Sequence, residues 1–230
     1  MARQPFLPTY TGKGWAIGMG MAAQKPELLN LIGECATIWP FVEHQMAMCL
    51  GLIMGSNTGP SLAVFSTLRT GRNQRDAVTA AASVVLNEQD QDLVAACWSV
   101  FGTAEKMRND IVHGQWGISE EIPDGLLWVE AKYHSQWNTS MIAAPGTPLA
   151  LAHADLARYF FVYTKRDFEE AINFIKGAWQ IAMDLTVYLG RSANAKETRD
   201  VLYFQLSKKP LVRTALVRLS ERKNKKSALQ

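Results

Sequence analysis

The chain has 230 residues, 48% of them apolar, and a formal net charge of +3. That is an ordinary globular composition, long enough for one good core or two small ones. Its three cysteines, Cys35, Cys49 and Cys97, lie in apolar runs without a CxxC spacing. They exclude a disulfide framework and favour reduced thiols in a cytoplasmic setting. The opening run MARQPFLPTYTGKGW lacks the apolar core of a signal peptide. The most apolar window, Cys35 to Met54, is broken by Pro40, Glu43, His44 and Gln45, so a buried helix is expected and no membrane span.

Residues 1–24 are punctuated by Gly and Pro and read as an irregular arm. A helix is expected from Pro26 to about Met54, with Pro at its first turn and a kink or split at Pro40. After a loop at Asn57–Pro60, a short helix over Ser61–Arg69 and a break at Thr70–Gly71, the next helix covers Asn73–Leu86. A turn at Asn87–Asp90 leads into a long helix, Gln91–His113, and Gly114 stands where a left-handed cap is expected. The period then changes. Trp116, Leu126–Tyr133, Ser140–Ala143 and Arg158–Tyr163 read as strands between turns at Pro123–Gly125 and Pro145–Gly146. Thr164 reads as an N-cap, followed by a helix over Lys165–Leu189 with Phe168, Ile172, Ile175, Trp179, Ala182 and Thr186 on one stripe. A last helix is expected over Ala195–Leu206.

The run Arg108-Asn109-Asp110-Ile111-Val112-His113-Gly114 carries the most chemistry. Arginine is always charged and fits phosphate oxygens in a fork. Histidine can take and give a proton near neutral pH. RNA carries its own nucleophile, the 2′-hydroxyl, so a cutter need only move protons and stabilise the crowded phosphate. Against this stand plainer roles: His113 as a C-terminal cap on the helix dipole, and Arg108 as an ion-pair residue with Glu105 or Asp110.

RNDIVHGQW, with a helical run before it and an aromatic-rich helix after it, resembles the signature of the HEPN superfamily. These are all-helical domains marked by Arg, a polar residue and then His at this spacing. The segment Leu62–Ala82 is similar to uncharacterised bacterial members. The resemblance spans about residues 26–190, and its sharp part is about ten residues. It implies a mainly α, HEPN-like helical bundle over 25–206, with a small β insert at about 115–163 and a basic tail over 207–230. It also implies pairing of two copies into a composite site and, in many members, metal-independent RNA cleavage. Arg108 would then stabilise the phosphorane, His113 would move the proton, and Asn109 would orient His113 or the phosphate. The products would be a 2′,3′-cyclic phosphate and a 5′-hydroxyl. A toxin or antiviral defence role, with an antitoxin or other regulator as partner, is implied only by the resemblance. The alternative is a non-catalytic dimer acting as an adaptor or a nucleotide- or RNA-binding module.

On an ideal helix Leu93, Cys97, Val100, Ala104, Met107 and Ile111 form the core stripe. The other side carries Trp98, Phe101, Gly102, Glu105, Asn109, Val112 and His113. Trp98, Phe101, Gly102, Glu105 and Val112 therefore read as a twofold dimer face, unless the returning helix or the insert covers them within one chain. Arg108 and His113 stand about 140° apart on such a helix. Either the last turn loosens, or Arg108 meets the His113 of a second copy.

Residues 208–230 hold eight basic and one acidic residue, +7, which leaves 3 − 7 = −4 for the rest. Lys208, Lys209, Arg213 and Arg218 are candidate RNA-backbone contacts, with a frayed, solvated helix end as the plainer reading. The tail lacks aromatic residues for base stacking. Trp116, Trp128, Tyr133 and Trp137 could pack the insert or form a base-stacking platform. His134 and His153 read as surface or packing residues. His44, beside Glu43, matches no zinc spacing with Cys35 or Cys49, so no metal and no cofactor is expected.

Overall fold

The computed structural model describes residues 4–6, 14–55, 58–143, 156–191 and 196–227. Its helices are α1 (Pro26–Ile53), α2 (Thr58–Thr67), α3 (Gly71–Val85), α4 (Glu88–His113), α5 (Ala131–Ala143), α6 (Lys165–Arg191), α7 (Lys196–Lys208) and α8 (Pro210–Ser227). The strands are β1 (Gln4–Pro5), β2 (Trp15–Ile17), β3 (Gln115–Ser119), β4 (Gly125–Val129) and β5 (Phe161–Thr164). The chain is mainly helical with a small sheet, as expected. It divides into two discontinuous compact units, Met1–Thr37 with Met107–Asn173 and Ile38–Lys106 with Phe174–Gln230.

The first unit holds an antiparallel sheet in the order β1-β5-β4-β3-β2. The arm over 1–24 is thus not wholly irregular: β2 pairs with β3, and β1 pairs with β5. Leu127, Val129, Phe160, Phe6, Leu156 and Ala157 form a buried cluster, with Trp15, Tyr133 and Trp137 packed against it. Tyr133 and Trp137 reach it from α5, one helical turn apart. That spacing makes Ser140–Ala143 helical where strand was expected, and it ends β4 at Val129. The hairpin turn between β3 and β4 is pinned by one cation. Lys25 Nζ donates to the carbonyls of Ile122 (2.7 Å), Pro123 (2.8 Å) and Gly125 (2.5 Å). Burial lowers the pKa of that ammonium, against the pull of Asp124 and Glu27.

The second unit is helical. α1 passes through Pro40 without splitting. Thr70 caps α3 by accepting the Asn73 amide at 3.2 Å. A Cβ at Gly71 would meet the end of the Glu105 side chain. α4 starts one turn earlier than expected, because Asn87 caps it. Its Oδ1 accepts the Asp90 amide at 3.0 Å, and its Nδ2 donates to Asp90 Oδ2 at 2.9 Å. Asp90 is also the hub of a buried polar lock. It accepts from the Tyr188 hydroxyl and pairs with Arg199, whose Nε donates to that hydroxyl at 3.2 Å. Residues 210–227 are not a frayed end. α8 buries Val212 and Ala215, and Lys223 pairs with Glu88 (3.2 Å) and Asp92 (2.8 Å). The turn expected at Pro145–Gly146 lies outside the described residues.

Removing Arg199 strands the Asp90 carboxylate, which is 4% exposed. Arg199→Ala should cost about 3 kcal/mol, read as a lower urea midpoint at unchanged slope. A shift too small to measure contradicts the lock. Burial pushes the Tyr188 phenol up to about 12, whereas an unfolded tyrosine ionises near 10. Its contribution is whole below pH 10 and is lost as pH climbs from 10 to 12. The alkaline fall in unfolding free energy should shrink in Tyr188→Phe, and an identical profile for the two proteins would contradict this.

Candidate functional site

The last turn of α4 carries Arg108, Asn109 and His113, and a regular helix leaves its final carbonyls without amide donors. Two strands supply indoles in their place. Trp128 Nε1 donates to the Asp110 carbonyl at 2.6 Å, and Trp116 Nε1 donates to the Ile111 carbonyl at 3.2 Å. The two tryptophans are cross-strand partners on β4 and β3, so both side chains leave the sheet on one face. Trp116 packs edge-on to Tyr163 with centroids 5.3 Å apart, and Trp128 lies 6.2 Å from the same ring. Phe168, fully buried, backs both Trp116 and Tyr163.

Gly114 does not take the left-handed conformation expected of it. Its role is space: a Cβ there would lie 1.6 Å from Trp128 Nε1. Ile111, 1% exposed, anchors the inner side of the turn. The turn is therefore held from below by two hydrogen bonds, one glycine contact and one buried aliphatic side chain.

On this turn Arg108 is half-buried. Its Nη1 donates to Asn109 Oδ1 at 2.8 Å, while its Nε is buried without a hydrogen-bond partner among the described residues. His113 is exposed and still helical, the last residue of α4. The last turn has not loosened, so Arg108 and His113 keep their helical separation. The structure brings Arg108 and Asn109 together and leaves His113 apart from them.

The remaining expectations fare unevenly. Leu93, Cys97, Val100, Ala104 and Ile111 are buried, as the core stripe requires. Trp98 and Phe101, read as a dimer face, are 4% and 1% exposed within one chain and pack edge-on at 5.2 Å. This part of α4 is buried on more than one side, so those rings are core. Gly102 is exposed and a Cβ there would touch nothing within 4 Å, so no close approach explains it. Glu105 and Val112 are half-buried. The base-stacking platform is also overturned for Trp128, which is 3% exposed, and Tyr133 stacks on Tyr159 at 4.0 Å. Trp179, expected in the core, is 36% exposed. His134 has its pKa lowered by burial and lies against Trp137. His153 lies outside the described residues.

Of the basic residues, Lys209 is engaged with Asp184. Lys208, Arg213 and Arg218 are exposed. Burial raises all three cysteine thiols, Cys35 and Cys49 to about 12, which makes them poor nucleophiles at neutral pH. Among the described residues no group of three His, Cys, Asp or Glu could hold a metal ion, and no helix is long and apolar enough to cross a membrane. No family model matches this chain, and no curated protein or solved structure matches it either. The indole pair could not have been found from the sequence, because Trp128 lies 18 positions from the carbonyl it caps.

Trp128→Phe keeps a ring and removes the N–H. Losing the indole bond to the Asp110 carbonyl should cost about 1 kcal/mol. Amide exchange should accelerate over residues 110–115 more than in α6. Uniform acceleration, or none, contradicts the capping role.

Proposed function

We propose that the protein is a metal-independent endoribonuclease of HEPN type, working as a twofold pair. The observation that carries the reading is the clamped RNDIVHG turn, which bears a hydrogen-bonded arginine–asparagine pair and, apart from it, an exposed imidazole. His113 would move the proton at the 2′-oxygen or the leaving 5′-oxygen. Arg108 would stabilise charge on the phosphorane, and Asn109 would hold the guanidinium in its fork orientation. Arg108 Nε has no hydrogen-bond partner among the described residues, so part of the guanidinium's donor capacity is unmet.

The regular last turn favours one of the two routes to a site. Arg108 and His113 of one chain stand about 140° apart on a helix, so Arg108 of one copy would meet His113 of the other. Trp98 and Phe101 are spent on the core, so the pairing surface must lie elsewhere on the exposed side of the chain. Toxin or defence biology, with a regulator as partner, is carried by the resemblance alone.

Arg108→Ala and His113→Ala should each lose RNA cleavage measured in EDTA. Mixed and re-equilibrated, they should recover about a quarter of the wild-type rate. Half the pairs are then mixed, and each mixed pair holds one intact site of two. Recovery near zero would sink the paired site. RNA binding without any cleavage by the wild type would leave the adaptor reading standing.

A further inference from the structure

We propose that the groove at the junction of α7 and α8 binds single-stranded RNA, with the phosphates on Arg213, Arg218 and Lys208 and one base against Phe204. The proposal rests on the reading that RNA is the ligand, but not on cleavage.

The groove has a volume of about 540 Å³, and Lys208, Arg213 and Arg218 line it along with Val217 and Glu221. Three cations against one anion leave it positive. The charge is also unspent. Among the described residues no carboxylate pairs with Arg213 or Arg218, whereas Lys209 and Lys223 nearby are paired with Asp184, Glu88 and Asp92. The helix that carries the two arginines is held in place by those pairs and by buried Val212 and Ala215. The cations thus stand on a rigid element, where ordering them on binding costs less than on a disordered tail.

The tail itself has no aromatic residue, but the fold supplies one from the preceding helix. Phe204 is 56% exposed, and the Lys208 ammonium lies 3.8 Å from its ring centroid. An exposed ring beside unpaired cations is the pairing a single strand needs, since every base has a face to stack and every nucleotide a phosphate. A bilayer offers the same charge but no base to set against the Phe204 ring.

The probe is a fluorescein-labelled 2′-O-methyl oligouridine, which has no free 2′-hydroxyl and cannot be cut through it. Its anisotropy gives binding even if the protein cleaves nothing. Arg213→Glu/Arg218→Glu should weaken binding at least about tenfold and flatten the salt slope by about 1.4, for two lost phosphate contacts on a single strand. Phe204→Ala should weaken binding about 5- to 100-fold with the slope unchanged. Circular dichroism of each variant checks the fold. Wild-type affinity and slope in the double variant overturn the groove. So does a wild type that binds phosphatidylserine vesicles and not the oligonucleotide. Loss of cleavage in His113→Ala with binding intact leaves the groove standing, so the two readings fail separately.

Discussion

The carbonyls of Asp110 and Ile111, in the last turn of α4, each accept an indole N–H from the sheet. The C-terminal turn of α4 is held by this contact. It sets where the helix stops, which face of β3 and β4 turns toward it, and why residue 114 has no side chain. Neutral hydrogen bonds of this kind contribute about 1 kcal/mol each. The clamp also disposes the surface. With Ile111 drawn inward, the outward positions fall to Asn109 and His113, and Arg108 lies at the margin where its guanidinium can reach Asn109. The site is stiff because its support is made of rings packed on Tyr163 and Phe168 and not of loop.

A second fixed point lies at the other end of the same helix. Asp90 gathers Asn87, Tyr188 and Arg199 around one buried carboxylate, and Glu88 and Asp92 on the exposed side of that turn hold Lys223. The N-terminus of α4 is thereby tied to α6, α7 and α8. Acidic residues at a helix N-terminus suit the dipole, and here they also take up part of the charge of the basic C-terminal helix. What they do not take up, on Arg213 and Arg218, faces the groove.

Period and caps were legible in the sequence. The stripe from Leu93 to Ile111, with Met107 half-buried, and the helix after Thr164 stand where spacing places them, and the break before α3 falls at Leu68–Thr70, just short of Gly71. Thr164 keeps its place at the start of α6 through Asp167, which accepts both its amide (2.8 Å) and its hydroxyl (2.7 Å). The errors came from what one helix or one window cannot show. Gln4–Pro5 and Trp15–Ile17 are too short to show a period, and their partners are 100 or more positions away. Trp98 and Phe101 looked like a partner surface because a helical wheel has no knowledge of how many neighbours surround it. Gly114 was read as a conformational glycine and proved to be a steric one. Ser140–Ala143 read as strand from a change of period, while the turn-by-turn spacing of Tyr133 and Trp137 is helical. Arg108 and Asn109 were legible as a chemical pair; the exposure of His113 and the buried Nε of Arg108 were not, since both depend on the sheet packed beneath the turn.

The central claim is that RNA is cut through its own 2′-hydroxyl by groups on this turn. Mass spectrometry of the fragments formed from a short RNA in EDTA tests it most directly, since the new ends record which oxygen attacked. The account predicts 2′,3′-cyclic phosphate on the upstream fragment and a 5′-hydroxyl on the downstream one. A 3′-hydroxyl with a 5′-phosphate, the mark of water as nucleophile, would contradict it.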